Sequence, residues 1–290
     1  MRFSFFYLSL LFVCLLVCKT GYANVSSYIS VKQNHQLDNA INALFLAAGK
    51  TKVKSPVAVS YIKQVLTSIC NNNLNSSLRQ HCNTVNRYII RYDNNFSISD
   101  AQLSLQQSNR QNASLANLRG VGYQEAFYAH IKASQQITSY FVYSIGAQIN
   151  DDSVYFDDSY VSIGTDWMQI DIGTKPHWFS PFKNSAMLIS THAQTIPTFS
   201  ISNQTPLSFM DFNYELFAGE MSLSDKIKYN GEYISGKPII TGMHIDFSPF
   251  DGFTLGLNRI LQSGGGDRGG NSLSDLIEAF FDPSGADNTC

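Results

Sequence analysis

The sequence predicts a mainly β protein: an antiparallel barrel of the outer-membrane type, preceded by a small N-terminal helical bundle. Three observations predict it. The chain opens on an export signal, and its apolar residues change from a helical period to strict alternation near Phe96. Charged side chains make up only 14% of its 290 residues, well below the usual quarter. The chain divides accordingly into a signal peptide at 1–23, a helical segment at 24–95 and barrel strands over 96–290.

The signal comes first. Met1-Arg2 supplies a positive start, and the stretch from Phe3 to Cys18 is apolar apart from Ser4, Tyr7 and Ser9. Gly21 and Ala23 then place small residues where a signal peptidase reads them. An apolar core of about 16 residues is short for a membrane anchor, which needs roughly 20, so cleavage is the expectation. Cys14 and Cys18 each follow a Val, the wrong neighbour for lipid attachment.

Removing Arg2 and Lys19 with the signal leaves 18 basic against 22 acidic side chains, a net charge of −4. That balance speaks against a nucleic-acid partner, which calls for a basic face. Cys70 and Cys82 flank the polar run from Asn71 to Ser77. In an oxidising compartment the pair is expected to form a disulfide, stabilising by about 3 kcal/mol in the chain-entropy treatment. A metal pair with His81 has too few partners, and Cys290 has no mate in the chain.

The helical segment reads from its periodicity. Leu37, Ile41, Leu44, Phe45 and Ala48 recur at the 3.6-residue period, with Gly49 where a C-terminal cap belongs. Ser55-Pro56 reads as a helix start ahead of Val59, Ile62, Val65-Leu66 and Ile69. A third helix over 77–91 uses Leu78, Cys82, Val85 and Ile89.

Beyond Phe96 the alternation takes over. Phe127 to Ala133 forms one apolar row and Ile137 to Ile149 the next, with a break at Ser134-Gln135-Gln136. Tyr160–Gly164 and Trp167–Gly173 read as a hairpin about Thr165-Asp166, and Met210–Ala218 as a further strand. Ile239–Phe247 and Phe253–Leu257 flank the turn Ser248–Gly252. Segments of about 9 to 13 residues exceed the ordinary strand of 5 to 6 and suit a tilted transmembrane strand. A soluble sandwich alternates in the same way and is the competing architecture. Ser272–Phe281 reads as a last helix, stopped by Pro283.

His177-Trp178-Phe179-Ser180-Pro181 is the most distinctive local motif. An exposed Trp178 would stack on the C–H face of a sugar while His177 binds hydroxyls; alternatively Trp178 lies in an aromatic girdle at the membrane interface. Gly264–Gly270 lacks the Lys and Ser/Thr of a nucleotide loop and reads as a loop between strands. Asp151-Asp152 and Asp157-Asp158 read as solvated loop acids rather than a calcium site or a glycosidase pair. No G-x-S-x-G or H-E-x-x-H occurs, so neither nucleophilic nor zinc hydrolysis has an anchor.

From Trp167 to Asn288 the chain resembles the Wzi capsule assembly family. The resemblance is carried by Gly173…Trp178…Pro181, by Ala186–Ala193, by Ile196–Ser200 and by Tyr214-Glu215-Leu216-Phe217-Ala218-Gly219. Gly242-Met243-His244, Gly256-Leu257-Asn258-Arg259, Gln262–Arg268 and Gly285–Asn288 follow in the same order as in the family. It implies an outer-membrane barrel with a helical plug that acts as a lectin for capsular polysaccharide. Ser263 stands where the family's loop carries Trp, which removes one stacking platform. Family members are usually longer, so the barrel is expected to be truncated here, with Cys290 belonging to a missing partner.

The function expected is non-catalytic binding of capsular or exopolysaccharide at the outer membrane by a monomer in contact with lipid. Trp178, His177 and Arg268 are the candidate contacts, Arg268 because it would pair with uronic-acid carboxylates. No cofactor and no metal are expected. A porin-like channel and a secreted β-rich enzyme acting on polysaccharide are the alternatives.

Overall fold

The structure, a computed structural model, describes residues 25–30, 35–93, 96–105, 127–150, 153–182, 185–190 and 194–268, with Ser272, Ser274, Asp275 and Ile277 beyond. The expected signal peptide, Asp151-Asp152, most of the helix expected at 272–281 and Cys290 lie outside the described residues.

Among the described residues three helices come first: α1 His35–Ala47, α2 Val59–Cys70 and α3 Ser76–Ile89, followed by the 3-10 turn Ile90–Asp93. Their apolar stripes meet in one core of Ile41, Leu44, Phe45, Ile62, Val65, Val85 and Ile89. Gly49 caps α1 with φ +67°, and the Lys50 N–H returns to the Phe45 carbonyl at 2.9 Å. The Asn75 side chain caps α3 by accepting from the Leu78 N–H at 2.8 Å. Cys70 and Cys82 form the disulfide, tying the end of α2 to α3 with Cα atoms 5.9 Å apart. Ser55 is not the N-cap of α2; that helix starts after Ala58, because the Ser55 backbone is engaged elsewhere.

Twelve strands follow: β1 Phe96–Leu105, β2 Phe127–Thr138, β3 Phe141–Asn150, β4 Val154–Phe156, β5 Ser159–Gly164, β6 Gln169–Thr174, β7 Thr198–Ser202, β8 Asn213–Glu220, β9 Ser224–Tyr229, β10 Glu232–Gly236, β11 Ile239–Phe250 and β12 Phe253–Ser263. Ten of them form one sheet in the order β1-β2-β3-β5-β6-β7-β8-β11-β12, with β4 also on β3. Every described pairing is antiparallel, and β1 and β12 are the ends of the path, so the sheet is open among the described residues. β9 and β10 form a separate hairpin.

Two expected breaks are absent. β2 runs on through Ser134-Gln135-Gln136 because its partner β3 supplies a ladder there, Gln135 facing Tyr143. The turn after β11 shrinks to Asp251-Gly252, since Phe250 still pairs with Phe253. Met210 and Asp211, at φ +52° and +49°, leave the extended region and delay β8 to Asn213.

The faces of the sheet are reversed relative to a soluble protein. Lys132, Ser162, Asp171, Ser200, His244 and Asp246 point inward and are buried. Their neighbours Ile131, Ile145, Ile163, Ile172, Phe199 and Leu257 point outward and stay 46–62% exposed. A sandwich would bury that apolar row against a second sheet; here it faces away from the polypeptide, as on a membrane barrel. Tyr140, Trp167, Phe250 and Phe253 sit exposed at the ends of these rows, where a girdle belongs. Asp157 and Asp158 are likewise not solvated: both are buried on the inner side, and Asp158 pairs with Lys132 at 3.1 Å.

The two ends of the sheet differ. Ser139-Tyr140, residues 165–168 and Asp251-Gly252 are short turns, whereas 175–197 and 221–238 are long connections. The helices sit at the short-turn end. There Lys50 pairs with Asp211 at 2.6 Å and the Gly252 N–H donates to the Gly49 carbonyl.

Candidate functional site

Two segments enter the hollow of the sheet from opposite ends. Val25–Ser30 comes from the helical side: the Val25 N–H donates to the Ser139 carbonyl at 2.7 Å, the Ser26 N–H to Gln169, and Ser30 Oγ to Asp158. Tyr28 lies deepest. Its hydroxyl donates to Asp171 Oδ2 at 2.7 Å and accepts from Gln204 Nε2 at 3.1 Å. Burial, and then the Asp171 carboxylate, push that hydroxyl far above the ordinary tyrosine range.

The connection after β6 folds in from the other end. Lys175 Nζ lies 2.7 Å from Asp171 Oδ2, 3.3 Å from Glu215 Oε1 and 4.7 Å from the centre of the Tyr28 ring. Burial disfavours its ammonium, but Asp171 and Glu215 overcome that and hold it well above the ordinary lysine range. His177 Nδ1 meets Glu215 Oε1 at 2.7 Å and Nε2 meets Thr198 Oγ1 at 3.0 Å. Lys54, from the helical side, completes the network at 3.4 Å from Glu215 Oε2.

Aromatic rings fill the space beside these charges. The His177 ring stacks on Phe217 at 4.0 Å and 11°, and Phe179 stacks on His244 at 5.0 Å. Gly242 makes the first stack possible, because a Cβ there would fall 2.1 Å from the Phe217 ring. Ser55, from the link between α1 and α2, then joins Trp178 of the inserted connection through a pair of backbone hydrogen bonds, 2.8 and 2.9 Å. What remains between plug and sheet includes a cleft of about 30 Å³, lined by Tyr28, Lys54, Tyr61, Gln204 and Asp246. That holds a water or two and no sugar ring.

Trp178 and His177 are therefore neighbours in the closed interior, 4% and 6% exposed. Trp178 Nε1 donates to the Phe182 carbonyl at 2.9 Å, and the ring is part of neither the outward girdle nor an open surface. Arg268 is apart from them, half-buried at the end of the 3-10 turn Gly266–Arg268. That turn lies against β10, since a Cβ on Gly266 would meet the Ser235 carbonyl at 2.6 Å.

The long connection 221–238 carries a further feature that the candidate residues did not anticipate. β9 and β10 pair with Tyr233 opposite Lys228 and Ile234 opposite Ile227. By alternation Lys226, Lys228 and Tyr233 share one face and Ile227 and Ile234 the other. The apolar face packs on the glycine loop: Ile227 Cδ1 lies 2.6 Å from where a Gly265 Cβ would be, and Ile234 Cδ1 lies 3.2 Å from that of Gly266. The opposite face is open, with Tyr233 72% exposed across from Lys228, and Lys226 exposed two residues further along β9. Asn230-Gly231, at φ +50° and +87°, makes the two-residue turn.

Comparison with known proteins agrees with this architecture. The family described as capsule assembly protein Wzi matches residues 96–290. Curated protein sequences give no match. A solved structure, described as Wzi, an outer membrane protein involved in group 1 capsule assembly in Escherichia coli and a carbohydrate-binding β-barrel, aligns with a TM-score of 0.62 at 15% identity. The alignment covers 89% of this chain, helices included, and 57% of that one; at such identity the likeness is one of fold.

Proposed function

Because the chain belongs to the capsule assembly protein Wzi family, we propose that it is a non-catalytic outer-membrane protein that binds capsular polysaccharide at the cell surface and helps hold or assemble it there. The observation that carries this reading is the hairpin β9–β10. Barrels of this kind place their short turns in the periplasm and their long connections outside. The hairpin belongs to a long connection, and its open face offers an aromatic ring beside two lysines. A sugar's C–H face stacks on Tyr233, while Lys226 and Lys228 attract the carboxylates of an acidic glycan. Arg268, at the foot of the hairpin, adds a cation to the same region. His177 and Trp178 serve from beneath, closing the interior on which the long connections rest.

The closed interior supports this reading over a channel. Plug and inserted connection meet at Ser55 and Trp178, across the path a solute would take. Catalysis on polysaccharide is disfavoured on similar grounds. Asp171, Glu215 and Asp158, which a glycosidase would present to substrate, are locked inside in ion pairs with Lys175, Lys54 and Lys132.

Cells expressing a Tyr233→Ala, Lys226→Gln, Lys228→Gln variant are expected to shed polysaccharide into the medium. The purified variant is expected to bind acidic polysaccharide about tenfold or more weakly in calorimetry. All three positions are exposed, so the fold should survive. Full capsule retention by cells lacking the protein, together with no glycan binding by the unaltered protein, would overturn the proposal.

A further inference from the structure

We propose that His130, Asp157 and Asp158 form a site for a divalent metal ion of the Zn²⁺ or Mn²⁺ class, inside the barrel near its long-connection end. His130 projects inward from β2, and the two aspartates form the bend between β4 and β5. All three are buried. One ring nitrogen and one oxygen from each carboxylate lie within 4.8 Å of one another, little more than twice a metal–ligand distance of about 2.1 Å.

An independent observation comes from the imidazole itself. Nδ1 is held by Asp100 Oδ2 at 3.1 Å, while Nε2 is buried and meets no hydrogen-bond partner. A buried ring nitrogen without a partner calls for an explanation. A carboxylate on one nitrogen and a metal on the other is the usual arrangement of a ligating histidine, because the carboxylate fixes the tautomer and strengthens the ligand.

The Asp158 carboxylate keeps room for an ion beside its protein partners: Lys132 Nζ lies 3.1 Å from Asp158 Oδ1. Ser30 Oγ donates to Asp158 Oδ2 at 2.8 Å, so each Asp158 oxygen has one partner and a second lone pair to give. One imidazole with carboxylates suits Zn²⁺ or Mn²⁺ better than Ca²⁺ or Mg²⁺, which take oxygen-only sets.

The backbone is shaped to bring these groups together. Gly146 on β3 faces the bend so closely that a Cβ there would fall 2.0 Å from the Asp157 carbonyl. The ion would pin the bend to β2 beneath the long connections, a role independent of glycan binding.

The full chain, untagged and folded in detergent, is stripped with chelator and titrated by calorimetry with Zn²⁺, Ca²⁺ and Mg²⁺, and with Mn²⁺ followed by electron paramagnetic resonance. One equivalent of Zn²⁺ or Mn²⁺ per chain is expected. His130→Gln is expected to weaken binding by about 100-fold or more, and Asp100→Asn, which removes only the orienting carboxylate, by about 10- to 100-fold. No stoichiometric uptake by the unaltered protein would overturn the proposal, and so would Ca²⁺ binding as tight as Zn²⁺. If His130→Gln fails to fold, Asp100→Asn decides: unchanged affinity overturns the site and weakened affinity supports it.

Discussion

Ser55 and Trp178 exchange two backbone hydrogen bonds inside the barrel, one residue from the helical plug and the other from the connection after β6. The indole of Trp178 is buried beside this junction and donates to the Phe182 carbonyl. Trp178→Ala should leave a cavity and cost about 3–5 kcal/mol of stability, measured by denaturant unfolding in detergent. Direct glycan affinity, normalised to folded protein, should change little. A tenfold loss of affinity with unchanged stability would restore Trp178 as a contact residue.

Lys175 holds Asp171 and Glu215 together in the interior. Lys175→Met removes the cation and leaves two buried carboxylates short of a partner, so a loss of about 3–5 kcal/mol is expected. The same variant should lower the temperature at which the protein loses its compact band on unheated gels.

The pH dependence follows from the raised Lys175 ammonium. A group whose folded-state value lies above its unfolded value of about 10.4 contributes its full stabilisation below that pH, and loses it only as pH rises through the folded value. Unfolding midpoints compared between the protein and Lys175→Met should therefore differ by the same amount at pH 7 and pH 9. A difference that shrinks over that interval would show an ammonium whose folded-state value is lowered instead of raised.

Gly242→Ala is expected to push the Phe217 ring off β11 and unstack it from His177, because the new Cβ would sit 2.1 Å from the ring. The cost should be about 1–3 kcal/mol, read from unfolding and from a weaker near-ultraviolet aromatic signal.

Reducing Cys70–Cys82 should destabilise the helical bundle by about 3 kcal/mol and leave the sheet in place. Amide exchange resolves the two: faster exchange in α2 and α3, with unchanged protection in β2 and β11. Equal loss of protection in both would mean that helices and sheet unfold as one unit.

Much of this architecture is written in local sequence. Alternation locates β2, β3, β5, β6, β8, β11 and β12 but not β4, β7 or the β9–β10 hairpin; the 3.6-residue period and Gly49 locate α1, and the Cys70–Cys82 spacing locates the disulfide. Which face turns inward is not local, because a sandwich and a barrel alternate alike; that Lys132 is covered and Ile131 bare depends on the curl of the whole sheet. His177 and Trp178 carry the chemistry of a sugar site, and only their pairing with Glu215 and Ser55, far along the chain, puts them inside. Asp157 and Asp158 look like loop acids until the sheet brings Lys132 beneath them. The hairpin around Asn230-Gly231 has a strong local signal, but its open face is set by the glycine loop thirty-odd residues on.

The segment Val25–Ser30 has a consequence for the order of assembly. Its partners Gln169, Ser202 and Gln204 lie 143, 174 and 176 residues further along the chain. Contacts of such separation carry the largest loop-closure cost and form late. The helices that follow the segment need no such wait, for their contacts are local and their covalent link spans 12 residues. The bundle is therefore the early-forming unit. The strands then gather around a segment already anchored to the bundle, and the hollow of the sheet is packed while it forms.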